Sequence, residues 1–119
     1  MNPETRAITA ADIRTIKKNH IVEKINDRDR SKTISISGTL SSSAIDLYDH
    51  SRGCHVSGSI SGHNINLNDH GTGKHFSIVL SGSSFSGYDA GSGKPFSGSV
   101  SEYSVSIYDH EDGKHHNYS

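Results

Sequence analysis

The feature that most constrains the fold of this chain is a twenty-residue repeat that begins at Ser31. The rows align without a gap and read SKTISISGTLSSSAIDLYDH, SRGCHVSGSISGHNINLNDH, GTGKHFSIVLSGSSFSGYDA, GSGKPFSGSVSEYSVSIYDH and, in part, EDGKHHNYS. A short, strict period of this kind is typical of repetitive architectures, in which each row forms one small supersecondary unit. We therefore expect residues 31–119 to form a Ser/Gly-rich β-repeat region.

Apolar residues alternate with serine inside each row. This period of two predicts strands with one buried face, and each row holds two such runs. The residues expected to point inward are Ile36, Leu40, Ile45, Leu47, Val56, Ile60, Ile65, Leu67, Phe76, Ile78, Leu80, Phe85, Phe96, Val100, Val105 and Ile107.

The segments between the strands are predicted to be tight turns. Within a row, pairs such as Gly62-His63 suit a two-residue type II′ hairpin. Between rows, each four-residue loop follows an aspartate and ends in a glycine that fits a left-handed position. Those glycines are Gly53, Gly73, Gly93 and Gly113.

This turn assignment fixes a register that can be tested. In most rows this register places a glycine on the first strand opposite a large apolar residue on the second strand. In the third row the two are exchanged, with Ile78 opposite Gly87. Because large and small trade places together, we infer that the two positions share one core volume. Across the bases of the loops the register pairs Asp69 with Lys74, Asp89 with Lys94 and Asp109 with Lys114. On the outer face it pairs Tyr48 with His55, Asn68 with His75 and Tyr108 with His115.

Residues 1–30 have a different character, because they are charged and contain no glycine. Thr9 and the following AADIRTIKK predict a capped helix over about residues 9–19, and residues 20–28 fit either a helix or a strand. We expect this N-terminal segment to pack on the sheet, covering an open end or the apolar face, as part of the same single domain.

These elements predict a mainly β fold with a short N-terminal helix. The favoured architecture is an antiparallel up-and-down meander of eight to ten strands, curled into a small barrel or a strongly bent sheet, because closure removes exposed edges. The alternative is a parallel β-solenoid in which each row forms one coil.

Histidine and tyrosine side chains are the most prominent candidates for a binding site, because they recur in and beside the loops. Imidazole and carboxylate groups at one end of a sheet could also ligate zinc or nickel. However, no compact metal-binding motif is present and the aspartates have turn roles, so we expect no metal and no cofactor. The candidate binding residues are Tyr48, His50, His55, His70, His75, Tyr88, Tyr108, His110 and His115.

Other chemistries find weaker support. GTGK and GSGK end like a phosphate-binding loop, but Lys74 and Lys94 are followed by strands and not by a helix. No serine is distinguished from its repeats as a nucleophile would be. Cys54 replaces the lysine of other rows and is interpreted as structural.

The recurring Tyr-Asp and Gly-Lys pairs resemble the YD repeats of large bacterial toxin-shell proteins. The similarity covers a few residues per row, with a different Tyr-to-Gly spacing and without the Leu-rich continuation. We attach no function to it.

Charge and composition limit the classes of molecule that this chain is expected to bind. A net charge of −1 gives no electrostatic footprint for nucleic acid or an anionic membrane. One cysteine and an N-terminal stretch without an apolar signal core favour the cytoplasm. The chain is predicted to be a non-enzymatic binding or interaction module for a glycan or protein, through the loops or the Tyr/His/Ser face. The alternatives are a small metal-dependent or hydrolytic enzyme built on the Asp/His loops, and a structural assembly unit; formation of a homo-oligomer is left open.

Overall fold

The computed structural model describes all residues, 1–119, as one helix followed by ten strands. The helix α1 spans Pro3–Lys18. The strands are β1 (Lys24–Asp27), β2 (Lys32–Leu40), β3 (Ala44–Asp49), β4 (Cys54–Ser61), β5 (Asn64–Asp69), β6 (Lys74–Ser81), β7 (Ser84–Asp89), β8 (Lys94–Val100), β9 (Val105–Asp109) and β10 (Lys114–Tyr118).

The ten strands form a closed antiparallel meander barrel. Each strand pairs with the next one along the chain, and β1 pairs with β10 to close the ring. The antiparallel register joins Ser77 to Tyr88 and Ile78 to Gly87, as predicted. The alternative of a parallel β-solenoid is therefore wrong, and the sheet is a barrel rather than an open bent sheet.

The predicted turns are also confirmed. Gly53, Gly73, Gly93 and Gly113 all have φ between 67° and 71°. The barrel thus has two distinct ends. The loop end carries the four-residue loops, and the hairpin end carries two-residue turns such as Gly62-His63, where Gly62 has φ 60°.

Strand β1 resolves the open assignment of residues 20–28 and reveals that the repeat begins before Ser31. The segment NDRDRSK, residues 26–32, matches NDHGTGK, residues 68–74, at its Asn, Asp and Lys positions. Ser31 takes the place of the loop glycine and shares its positive φ, at 49°. Strands β1 and β10 are therefore the two halves of one row, which meet where the barrel closes.

Helix α1 begins at Pro3 and not at Thr9, so the predicted start is wrong. Asn2 caps the helix by accepting a hydrogen bond from the Thr5 N–H (2.8 Å), and Pro3 suits the first turn because it lacks an N–H. Thr9 lies inside the helix, where its hydroxyl donates to the Thr5 carbonyl (2.7 Å). The helix ends at Lys18 and is capped by Asn19, which has φ 53°.

The helix occupies the barrel lumen. All residues from Thr5 to Ile13 are buried, so no face of this stretch meets solvent. Its partners come from opposite walls, because Thr5 contacts Asp69 on β5 while Arg6 contacts Asp109 on β9 and Tyr118 on β10. Side chains alone can fill the interior of an eight-stranded barrel. A ten-stranded barrel is wider, and here α1 fills the additional space.

The core lies between the helix and the inner barrel wall. The predicted inward residues all belong to it, although Leu40, Ile60 and Leu80 at the hairpin end are only partly buried. The packing around Gly87 explains why glycine and the large residue are exchanged in the third row. A Cβ atom on Gly87 would lie 2.3 Å from Cζ of Phe96 on the neighbouring strand. The small residue therefore accommodates an aromatic ring as well as the opposed Ile78.

Candidate functional site

Five buried aspartates surround the loop end of the barrel and form what we call the carboxylate ring. Each is the last residue of an odd-numbered strand, and each Oδ1 accepts a hydrogen bond from the N–H two residues later, as in Asx turns. The ring comprises Asp27, Asp49, Asp69, Asp89 and Asp109. The repeated Asp of the loops is therefore a turn residue first.

The second oxygens of four ring members are held by arginine or threonine donors. Arg52 bridges two neighbours, with Nε 2.8 Å from Oδ2 of Asp49 and Nη1 3.0 Å from Oδ2 of Asp69. From the helix, the Thr5 hydroxyl donates to Asp69 (2.7 Å) and Arg6 Nη1 donates to Asp109 (3.0 Å). Arg30 Nε donates to Asp27 in the same way (2.6 Å).

The predicted register of the Asp–Lys pairs is confirmed, but their side chains form no ion pairs. Lys74, Lys94 and Lys114 lie opposite ring aspartates, yet all three are exposed and none has a carboxylate within 4.0 Å. The guanidinium fork can serve two carboxylates at once, whereas a strongly hydrated ammonium loses more by leaving water.

The ionisation of the loop end follows from these contacts. Burial by itself would raise the pKa of Asp49, but hydrogen bonds from Arg52 and Ser51 outweigh it and lower the pKa. Burial likewise opposes the charge of Arg52, whose pKa is nevertheless raised by Asp49 and Asp69. Burial also raises the pKa of the Tyr118 hydroxyl to about 12, against the nearby charge of Arg6. Because Thr5 and Arg6 of α1 contact ring aspartates, the ring anchors the N-terminus of the helix, whose dipole favours nearby carboxylates.

The outer face carries the predicted binding residues, and two sets of three come together there. In the Tyr48 cluster (Tyr48, His50, His55), both imidazoles meet the phenol ring edge-on, at centroid distances of 4.8 Å. In the Tyr108 cluster (Tyr108, His110, His115) both centroid distances are 4.7 Å; the His110 ring meets the phenol edge-on and the His115 ring is tilted by 58°. Both clusters lie beside the loop end.

Hydrogen bonds orient the histidines of these surfaces. His50 Nε2 lies 2.9 Å from the Ser37 hydroxyl, and His55 Nδ1 lies 2.8 Å from Oδ1 of Asp46. On the next row, His70 Nε2 lies 2.9 Å from Ser57 and His75 Nδ1 lies 3.2 Å from Asn68.

The remaining candidates are not gathered into a third cluster. His70 and His75 flank Asn68 instead of a tyrosine. Tyr88 is 48% exposed, and the positions of the two histidines are taken by Ala90 and Pro95. The Tyr48 and Tyr108 clusters lie on β3 and β9, which are four strands apart across the β1–β10 junction.

Neither a metal centre nor a deep cleft accompanies these residues. No three His, Cys, Asp or Glu side chains are grouped so that they could hold a metal ion. Burial raises the pKa of the partly buried Cys54, which does not favour a reactive thiolate. A shallow polar cavity of about 220 Å³ opens at the loop end beside Thr5, Lys74 and Asp89.

Sequence reasoning did not single out Arg6, Arg52 or His116, which hold the loop end together. The sequence does contain a signal for two of these contacts, at the third position of the four-residue loops. Arg52 and Asp112 stand there, where the other rows have the small polar residues Thr72 and Ser92. A charged residue that departs from a repeat is a candidate for a contact outside that repeat.

No protein-family model, curated protein or solved structure matches this chain. The helix of the protein is too short and too polar to cross a bilayer.

Proposed function

We propose that this protein is a non-enzymatic binding module that engages glycans through the Tyr48 and Tyr108 clusters. The observation that carries the proposal is that α1 fills the lumen, so the repeated aromatic and polar side chains available to a ligand lie on the outer face. A sugar ring can stack its C–H face on a tyrosine, while its hydroxyls exchange hydrogen bonds with neighbouring imidazole, carboxylate and hydroxyl groups. At Tyr48, the imidazoles of His50 and His55 contact the phenol ring, and Asp46 is hydrogen-bonded to His55.

The separation of the clusters favours two independent sites. In a ten-stranded barrel a displacement of four strands corresponds to roughly 140° around the axis. One small ligand cannot contact both clusters at once, so we expect two weak sites that gain strength on a multivalent surface.

The enzyme alternative has one supporting observation, the Ser37–His50 and Ser57–His70 hydrogen bonds. Both pairs are exposed on a convex surface, and neither has an acid hydrogen-bonded to the second imidazole nitrogen or an oxyanion-binding cleft. The carboxylate ring supports an enzyme less, because nine of its ten oxygens already accept hydrogen bonds from backbone amides, arginines or Thr5. We therefore propose no catalytic residue.

The test is a glycan array probed with untagged protein, followed by titration of the best glycan against Tyr48→Ala, Tyr108→Ala and the double variant. We expect each single variant to halve the stoichiometry and the double variant to abolish binding. Tyr103→Ala is the control, because Tyr103 is 71% exposed at the hairpin end.

Two outcomes contradict the proposal: no glycan binds, or the double variant binds as well as the unaltered protein while keeping its melting temperature. A native mass measurement in the same series addresses the assembly-unit alternative. A protein ligand in place of a glycan would appear as an empty array together with a partner whose binding depends on the same two tyrosines.

A further inference from the structure

His116 is buried at the loop end with a carboxylate on each ring nitrogen. Its side chain is 7% exposed, Nδ1 contacts Oδ2 of Asp29, and Nε2 lies 2.8 Å from Oδ2 of Asp112. A carboxylate accepts hydrogen bonds and a neutral imidazole has only one N–H to donate. Both contacts can therefore be hydrogen bonds only when His116 is an imidazolium.

The two carboxylates belong to loops on opposite sides of the β1–β10 junction, which we call the seam. Asp29 lies in the loop after β1, and Asp112 lies in the loop before β10. The seam is the one strand pair that no hairpin joins, and its register contains the single pair Asp27 and Tyr118. Three backbone hydrogen bonds accompany it, donated by Asn26, Arg28 and Ser119.

We propose that Asp29, His116 and Asp112 form a proton-dependent latch that holds the seam of the barrel closed. With the proton present, one imidazolium joins the two loops by two charge-assisted hydrogen bonds. When the proton leaves, one nitrogen presents a lone pair to a carboxylate, and the cation between two anions is lost. The seam then depends on its short backbone ladder and on the hydrogen bonds of Arg6 with Tyr118 and of Arg28 with Ser119, so β1 separates from β10 more readily.

The surrounding charges also act on Asp112, which accepts one of the two hydrogen bonds of the latch. Burial alone would raise the pKa of Asp112, but hydrogen bonds from His116 and Lys114 N–H, with the charge of His116 and Arg6, lower it. The contribution of Asp112 is therefore present above its unfolded pKa and is lost as pH falls through the folded value. Asp29 and Asp112 contact the imidazole directly, and Arg6 Nη1 lies 3.7 Å from Oδ2 of Asp112 and 3.0 Å from Oδ2 of Asp109. The other charged or titratable groups on the strands and loops around His116 are Asp27, which pairs with Arg30, and Arg28, Glu111, Lys114 and Tyr118.

The test combines amide hydrogen exchange at the seam with nitrogen NMR of the imidazole. Protection factors of the Asn26, Arg28 and Ser119 amides are measured from acidic to alkaline pH. Loss of a hydrogen bond to a charged group should lower them by roughly tenfold or more as His116 deprotonates. His116→Gln should remove this pH step, whereas His115→Gln, on the exposed neighbour, should keep it.

The nitrogen spectra of the unaltered protein provide a readout that does not depend on the variant folding. Both ring nitrogens of His116 should carry protons while the seam is protected, and one proton should leave at the pH where protection falls. A neutral His116 in the protected state refutes the latch. So does a step that persists in His116→Gln, or an equal step at amides of β5 and β6 far from the seam.

Discussion

Replacing Asp12 by asparagine should make the protein progressively more stable than the unaltered chain as pH rises. Asp12 lies on α1 inside the barrel, is fully buried, and neither of its carboxyl oxygens has a hydrogen-bond partner. Burial, with smaller contributions from the charges of Asp69 and Asp46, raises its pKa well above the usual value. The folded protein therefore holds this proton where the unfolded chain releases it.

The sign and the size of the effect follow from proton linkage. Because the folded-state pKa is the higher one, the folded state binds more protons than the unfolded state between the two values, and stability falls as pH rises. The slope is about 1.4 kcal/mol per pH unit for one proton, so the stability difference should grow by roughly 3 kcal/mol between pH 5 and pH 7 while the folded carboxyl stays protonated. Asparagine has nearly the same shape and does not ionise, so the change in the difference with pH isolates the carboxyl.

The assay is urea unfolding of the two proteins at pH 5, 6 and 7, with Glu23→Gln as a control at an exposed carboxyl. A stability difference that stays constant over this range would refute the reasoning, and so would one that shrinks. Either result would mean that Asp12 is ionised in the barrel and has a partner that compensates its charge.

Three further pairs of substitutions test the loop end, the core and the turns, each by the free energy of unfolding in urea. Arg52→Met leaves two buried carboxylates without their shared cation and should cost about 3 kcal/mol, whereas Lys74→Ala should cost little. Gly87→Ala should cost about 1–3 kcal/mol through contact with Phe96, and Phe96→Leu in the same chain should recover at least about 1 kcal/mol of the summed losses. Gly73→Val should cost more than about 1 kcal/mol and more than Gly73→Ala, because the φ of 71° at Gly73 disfavours β-branched residues. Additive losses for the Gly87 and Phe96 changes would contradict the assigned core contact. Equal costs for the two Gly73 changes would contradict the assigned turn.

The split row gives the carboxylate ring a simple origin in the repeat. Five strands end in aspartate, so five carboxylates lie at one end of the barrel. One of these strands is β1, which pairs with β10 and closes the barrel because the two halves of that row lie at opposite ends of the chain. The like charges of the ring are compatible with folding because arginines pair with them: Arg52 bridges two ring aspartates, and Arg6 and Arg30 pair with one each. The N-terminal helix is thus tied to the repeat by charge as well as by burial.

The sequence alone predicted the strands of the repeat region, β2 to β10, together with their turns and the register that they have in the meander. Alternation with a period of two, a glycine at each left-handed position and an ungapped row are local signals, and pairings such as Ile78 with Gly87 follow from them directly. The sequence also indicated Tyr48 and Tyr108 as neighbours of histidines, because those contacts lie within one row.

Only the tertiary structure decided where the helix lies and which groups neutralise the ring. The width of the lumen depends on the number of strands that close the barrel, and that number could not be known while β1 was undecided. The contacts of Arg6 with Asp109 and of His116 with Asp29 join residues separated by 103 and 87 positions. No short-range pattern encodes such pairs, because they form only when closure brings the two ends of the chain to the same end of the barrel.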